Sequence, residues 1–86
     1  MWLEFRWWGV IVHLTREAAC LAITGSPNFE QPLNEVPEPW RTFIRAAIAA
    51  YSWTIGDRIG VDGVDIHLNW FGFVHWIGPS GAPQPC

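Results

Sequence analysis

Hydrophobic and polar residues alternate with a period of two from residue 64 to residue 77, which is typical of a β-strand whose two faces meet different surroundings. The even positions are apolar apart from one glycine and comprise Val64, Ile66, Leu68, Trp70, Gly72, Val74 and Trp76. The odd positions mix polar side chains with phenylalanines and comprise Asp65, His67, Asn69, Phe71, Phe73 and His75. The pattern predicts one uninterrupted strand over residues 64–77, with its even positions facing a core.

A hairpin turning at Phe71–Gly72 is the alternative for the same stretch, and it would give three strands in all. A two-residue turn there would pair Leu68 with His75. The next pair would be His67 with Trp76, so each pair would place a polar and an apolar side chain on the same face. The unbroken alternation therefore favours the single strand.

The N-terminal stretch over residues 2–14 has the same period, but its parity changes near Gly9. Before the glycine one apolar face consists of Leu3, Phe5 and Trp7, and after it the apolar set is Val10, Val12 and Leu14. A β-bulge at or near Gly9 would restore a continuous buried face, because one extra residue turns every later side chain over. We predict a long bulged strand. A hairpin turn at Trp8–Gly9 is the less favoured alternative, since neither flank carries a typical turn dipeptide.

Two helices are expected between these strands. Thr15 is placed as an N-cap and Gly25 as the residue that ends a short helix over residues 16–24. Residues 39–58 have a broad apolar face at helical spacing and predict the principal helix. The connector over residues 26–39 holds four prolines and is expected to be a solvated surface loop.

The order of elements predicts an α+β fold in which both helices cover one face of a small sheet. We expect one domain over residues 1–78, followed by a Pro/Gly-rich tail over residues 79–86. A sheet of only two strands is marginal, and both strands would leave an open edge. We therefore expect self-association to complete the sheet.

Composition narrows the classes of partner. The net charge is −3 and the five basic residues, all arginines, form no basic stripe, which argues against a nucleic-acid binder. Of the two cysteines, Cys20 has the surroundings of a core residue, while Cys86 is either a free thiol or the partner of Cys20. No signal peptide or membrane-spanning segment is visible, so a cytoplasmic location is the default expectation.

The three histidines, His13, His67 and His75, are the residues suited to acid–base chemistry near neutral pH. In a single strand, the eight residues from His67 to His75 would separate them by roughly 26 Å. They could then share a metal ion only if the strand folded back, so no metal site is predicted. The sequence also lacks a nucleophile elbow and a phosphate-binding loop. We expect neither an enzyme nor a cofactor.

Seven tryptophans in 86 residues are the outlying feature of the composition. Aromatic residues and arginine are enriched at protein interfaces. The predicted interface consists of Trp2, Arg6, Trp8, His67, Asn69, Phe71, Phe73 and His75. We expect a non-enzymatic protein that self-assembles or docks into a larger complex. The alternatives are a membrane-active toxin that inserts its aromatic faces into lipid, and a carbohydrate-binding module that uses exposed tryptophans.

Overall fold

The computed structural model describes residues 1–84 and 86, and these form an antiparallel sheet packed against helices. The strands are β1 (Trp2–Arg6), β2 (Gly9–Leu14), β3 (Gly63–Asn69) and β4 (Val74–Ser80), in the spatial order β1-β2-β3-β4. The helices are α1 (Arg16–Ile23), α2 (Glu30–Leu33) and α3 (Trp40–Asp57), with a 3-10 turn over Pro27–Phe29 before α2. The α+β class is confirmed, but the described residues form four strands where two were predicted.

β2 and β3 form the centre of the sheet and supply most of its buried face. Their register pairs Val10 with Leu68, Val12 with Ile66 and Leu14 with Val64. All six side chains are at most 2% exposed and pack against apolar residues of the helices. The period of two thus identified the core face of these two strands correctly.

The predicted single strand over residues 2–14 is wrong, because the chain reverses between β1 and β2. Arg6 pairs with Gly9, which leaves Trp7 and Trp8 as a two-residue turn. A hairpin, the less favoured alternative, therefore forms, but its turn is Trp7–Trp8 and not Trp8–Gly9.

The reversal also explains the change of parity. Phe5 lies opposite Val10, and residues opposite one another share a face, so an odd position on β1 joins an even position on β2. A Cβ at Gly9 would overlap the carbonyl oxygen of Leu68, so the close approach of β2 to β3 here requires glycine.

The predicted strand over residues 64–77 is also two strands, since β3 ends at Asn69 and β4 begins at Val74. The register shifts by one residue along β4, from Leu68 opposite Val74 to the next pair. His75 is the extra residue of this bulge. The bulge keeps Val74 on the core side of the sheet.

Beyond the bulge, Trp76 lies opposite His67 on the other face of the sheet. Trp70 and Trp76 were expected on the core side, but they are 48% and 47% exposed. The prediction failed here because it assumed one uninterrupted strand over residues 64–77, whereas residues 70–73 connect two strands and a bulge follows the connection.

The predicted helices over residues 16–24 and 39–58 agree with α1 and α3 to within one residue at each end. The hydroxyl of Thr15 accepts a hydrogen bond from the backbone N–H of Ala18 at 3.1 Å, which is the expected N-cap. The connector differs from the expected solvated loop, because it contains the 3-10 turn and α2. Its apolar residues Phe29, Leu33 and Val36 are buried in the core.

A disulfide joins Cys20 in α1 to Cys86. Backbone hydrogen bonds also hold the residues after β4, since the N–H of Gln84 donates to the carbonyl oxygen of Ile59 at 2.9 Å. The Nε of Arg16 donates to the carbonyl oxygen of Gln84 at 3.3 Å. The C-terminal segment is thus attached to α1 by a covalent bond and by a hydrogen bond.

Reduction of this disulfide is expected to lower the free energy of unfolding. The bridge spans 66 residues of sequence. In the chain-entropy model, a cross-link over a loop of that length lowers the entropy of the unfolded chain and so stabilises the folded state by about 4 kcal/mol. Urea unfolding with and without reductant measures the difference. The double variant Cys20→Ser/Cys86→Ser should show the lower stability under both conditions. Equal stability of the oxidised and reduced wild type would contradict the prediction.

Candidate functional site

The turns of both hairpins lie at the same end of the sheet. Gly9, which follows the Trp7–Trp8 turn, pairs with Arg6 on one side and with Asn69 on the other, and Asn69 precedes the turn over residues 70–73. The aromatic side chains gathered there are Phe5, Trp7, Trp70, Phe71 and Phe73, and we call them the aromatic end.

Ring contacts connect the aromatic end to the core. Phe5 stacks on Trp70 with ring centroids 6.4 Å apart, and each of them also contacts Trp40, the first residue of α3. The indole Nε1 of Trp70 donates a hydrogen bond to the carbonyl oxygen of Trp7 at 2.9 Å, which links the two turns. Trp40 is buried, so Phe5 and Trp70 pack against a residue of the core.

The second turn is held by its own polar groups. The Asn69 side-chain oxygen accepts hydrogen bonds from the backbone N–H groups of Phe71 at 2.9 Å and Phe73 at 3.0 Å. Gly72 has a φ of +87°, and a Cβ there would press on the ring of Phe43. Asn69, a predicted interface residue, therefore has its side-chain oxygen inside the turn, where it positions the two phenylalanines.

The aromatic end is strongly exposed. Trp7 is 90%, Phe71 79% and Phe73 70% exposed, while Phe5 and Trp70 are about half exposed. Side chains of this size bury roughly 150–250 Å² each, so the five rings present on the order of 700 Å². That exceeds the roughly 300–600 Å² of the largest apolar patch on a typical monomer. It is close to the approximately 800 Å² that one partner contributes to a protein interface of standard size.

The face of the sheet away from the helices, here called the outer face, carries the remaining predicted interface residues. Trp2 stacks on His13 with ring centroids 4.0 Å apart. The two ring nitrogens of His13 face carboxylates, with Nδ1 at 2.7 Å from Asp65 and Nε2 at 3.1 Å from Glu4. A neutral imidazole has one N–H, so only the protonated ring donates to both carboxylates at once. Arg6 forms an ion pair with the same Glu4.

His67 and His75 lie next to one another on this face, because the strand folds back. Their ring centroids are 5.8 Å apart, so the separation of roughly 26 Å assumed for a single strand does not apply. Trp8 stacks on His67 at 5.2 Å and contacts His75 edge-on at 4.9 Å. Trp76 contacts His67 from the other side at 4.6 Å. The structure thus brings together Trp8, His67 and His75 from the predicted set.

Burial lowers the pKa of His67 below its ordinary value of 6.5, and the positive charge that His75 can carry lowers it further. Asp65 and Glu4 act in the opposite direction, and His13 adds a smaller lowering effect. His67 therefore stays neutral, with one ring nitrogen free to accept or bind, to a lower pH than an unperturbed histidine.

Among the described residues, no group of three or more histidine, cysteine, aspartate or glutamate side chains is arranged to hold a metal ion. Within the same residues, no helix combines the length and the hydropathy needed to cross a bilayer.

Phe5, Trp7, Trp70 and Trp76 were not predicted as interface residues, because the period of two places them on the apolar faces of the two predicted strands. A signal was present, since residues 5–8 and 70–73 are the two most aromatic segments, and a glycine follows or interrupts each. Reading both glycines as hairpin markers would have identified both segments as exposed turns, whereas their proximity depends on the pairing of β2 with β3.

The chain matches no protein-family model, and comparison with curated proteins and with solved structures found no significant similarity. The site is therefore interpreted from its own geometry and chemistry.

The free energy of unfolding should depend on pH because the folded structure lowers the pKa of His67. Its pKa is lower in the folded chain than in the unfolded chain, so the unfolded state binds the proton more readily. The stabilisation from the neutral ring is complete above about pH 6.5 and is lost as the pH falls toward the folded pKa.

We expect a lower urea midpoint at pH 5.5 than at pH 7.5, and a smaller difference between the two in the His67→Gln variant. Comparing variant with wild type cancels the titration of the other acidic groups to a first approximation. An unchanged difference in the variant would show that His67 does not contribute.

Proposed function

We propose that this chain is a non-enzymatic interaction protein, which assembles with copies of itself through the edge of β1 and docks further copies through the aromatic end. The observation that carries the proposal is the exposure of Phe5 on the inner face of β1, whose other residue, Leu3, is partly buried against the core. Phe5 points to the side of the core yet is 57% exposed, and its ring contacts are with Trp40 and Trp70 at the rim of the helical layer. Phe5 also belongs to the aromatic end, so the strand edge and the exposed rings form one continuous surface.

The two edges of the sheet differ in how far they are protected. The β4 edge contains Pro79 and the bulge at His75, and the Arg58 guanidinium donates to the carbonyl oxygen of Ile77 at 2.8 Å. Proline, bulges, covering side chains and edge charges are devices by which proteins block edge pairing. Within Trp2–Arg6, β1 has only the charges of Glu4 and Arg6, which are of opposite sign, and its one strand neighbour among the described residues is β2. β1 is therefore the edge that is available for a further strand.

A second copy of the chain complements β1. In an antiparallel pair related by a two-fold axis at Phe5, each Glu4 lies opposite the partner's Arg6, and the two Phe5 rings lie opposite one another. Opposite charges and aromatic pairs in directly opposed positions each contribute about 0.2–1 kcal/mol to an antiparallel pair. The same arrangement would place Trp7 opposite the partner's Leu3, which covers part of the aromatic end.

Reversal of the charges on β1 tests this register. We expect Glu4→Arg and Arg6→Glu each to weaken self-association, because like charges then face one another across the two-fold axis. The double variant Glu4→Arg/Arg6→Glu should recover it, since the opposite-charge pairs are restored. Sedimentation equilibrium measures the association constant, and circular dichroism checks the fold. Failure of the double variant to recover association, or a wild type that is monomeric at every concentration, would contradict the proposal.

A second candidate function is insertion of the aromatic end into the interface of a lipid bilayer. The turn over residues 70–73 carries no charge, and Asn69 satisfies two of its backbone donors internally, which lowers the cost of a low-dielectric environment. The two candidate functions predict different behaviour toward liposomes.

Substitution of the exposed phenylalanines distinguishes the two functions. Under protein docking, Phe71→Asp and Phe73→Asp should limit assembly to the β1 pair in sedimentation velocity, and neither the variants nor the wild type should bind liposomes. Both side chains are exposed, so the variants should keep the wild-type stability. Trp53→Ser is the matched control, because Trp53 is 86% exposed and lies about 20 Å along α3 from Trp40 at ~1.5 Å per residue. Liposome binding by wild type and Trp53→Ser that is lost in Phe71→Asp would favour the membrane function.

A further inference from the structure

We propose that His67 and His75 form a two-histidine chelate for a divalent transition-metal ion, such as Zn²⁺, Ni²⁺ or Cu²⁺, on the outer face of the sheet. This site is separate from the β1 edge and goes beyond the proposed interaction function. It depends on the hairpin and bulge that the structure shows.

The backbone brings the two rings together in two steps. The reversal between β3 and β4 places the strands side by side, and the bulge adds His75 as an extra residue next to the pair formed by His67 and Trp76. The ring centroids are then 5.8 Å apart with an interplanar angle of 88°. Zinc binds imidazole nitrogens at about 2.0–2.1 Å, so the centroids of two rings that share one ion must lie within roughly 6 Å of one another. The observed separation meets this condition.

The nitrogens of the two rings are available. No hydrogen bond or ion pair within residues 1–84 and 86 engages the imidazole of His67 or His75. His13, the third histidine, has both nitrogens on carboxylates, at 2.7 Å and 3.1 Å. The chain thus contains two neighbouring histidine rings whose nitrogens have no hydrogen-bond partner among the described residues, and a third ring whose nitrogens both face carboxylates.

The surroundings hold the rings in place while leaving the pair open to solvent. Trp8 stacks on His67 with an interplanar angle of 7°, and Trp76 contacts the same ring at 73°. His75 is exposed, so an ion can approach from water. Two protein ligands leave the other coordination positions to water, as in sites that keep an open position. Imidazole ligands suit zinc, nickel and copper, and Cu²⁺ should bind most tightly in the Irving–Williams order.

Titration of the full chain with CuCl₂, NiCl₂ and ZnCl₂ tests the site, with MgCl₂ as a hard cation that prefers oxygen ligands. Isothermal titration calorimetry should give one ion per chain, with Cu²⁺ binding most tightly and Mg²⁺ giving no signal. Cu²⁺ should also quench tryptophan fluorescence, because Trp8 lies against His67.

His67→Gln and His75→Gln should each weaken Ni²⁺ binding by at least about tenfold, since each removes one of two ligands. His13→Gln is the matched control and should bind Ni²⁺ as the wild type does, with circular dichroism confirming the fold of all three variants. Absence of binding by all three transition metals would overturn the proposal. Unchanged affinity in His67→Gln and His75→Gln, or an equal loss in His13→Gln, would also overturn it, because the ion would then lie elsewhere.

Discussion

The antiparallel register between β2 and β3 positions nearly everything else in this molecule. It buries three aliphatic residues from each strand on one face and closes a connection of about fifty residues that contains all the helices. Because Gly9 lies opposite Asn69, the same register brings the free ends of both hairpins together. A shift by one residue would turn the buried face outward and would displace the two turns relative to one another by roughly 3 Å. The core and the aromatic end are therefore consequences of a single strand pairing.

The tryptophans are distributed among distinct roles by the hairpins. Trp40 is buried where α3 begins and supports the rings above it, while the adjacent Trp7 and Trp8 point to different surroundings. Trp7 is almost fully exposed, whereas Trp8 lies over the histidines of the outer face. A tight turn sends neighbouring side chains in different directions, so one dipeptide contributes to two surfaces. The aromatic residues thus form part of two exposed surfaces and also fill part of the core.

The outer face is unusual because rings and ion pairs cover it in place of a second hydrophobic layer. Ile11 at its centre is only 9% exposed, although it faces away from the helices. The side chains around it include Glu4 and His67, which are its direct neighbours across the strands. This layer shields an apolar position while keeping polar groups at the surface. It also gives the sheet a chemistry that differs from that of the aromatic end.

Local patterns in the sequence determined the helices, the Thr15 cap and the buried faces of residues 10–14 and 64–68, because these depend on periodicities of 3.6 or 2 within one segment. The two hairpins could not be predicted in the same way. Neither Trp7–Trp8 nor residues 70–73 offers a two-residue turn signal of the usual kind. Leu68 and its partner Val74 are both even positions, so they keep the same parity across the reversal and the alternation does not reveal it. The proximity of His67 and His75, the gathering of the aromatic rings and the Cys20–Cys86 bridge were decided only by the tertiary structure. Each of these contacts joins residues that are distant in sequence, so it depends on where the chain turns. The alternation of side chains does not show the turn, because it is the same whether the strand continues or folds back.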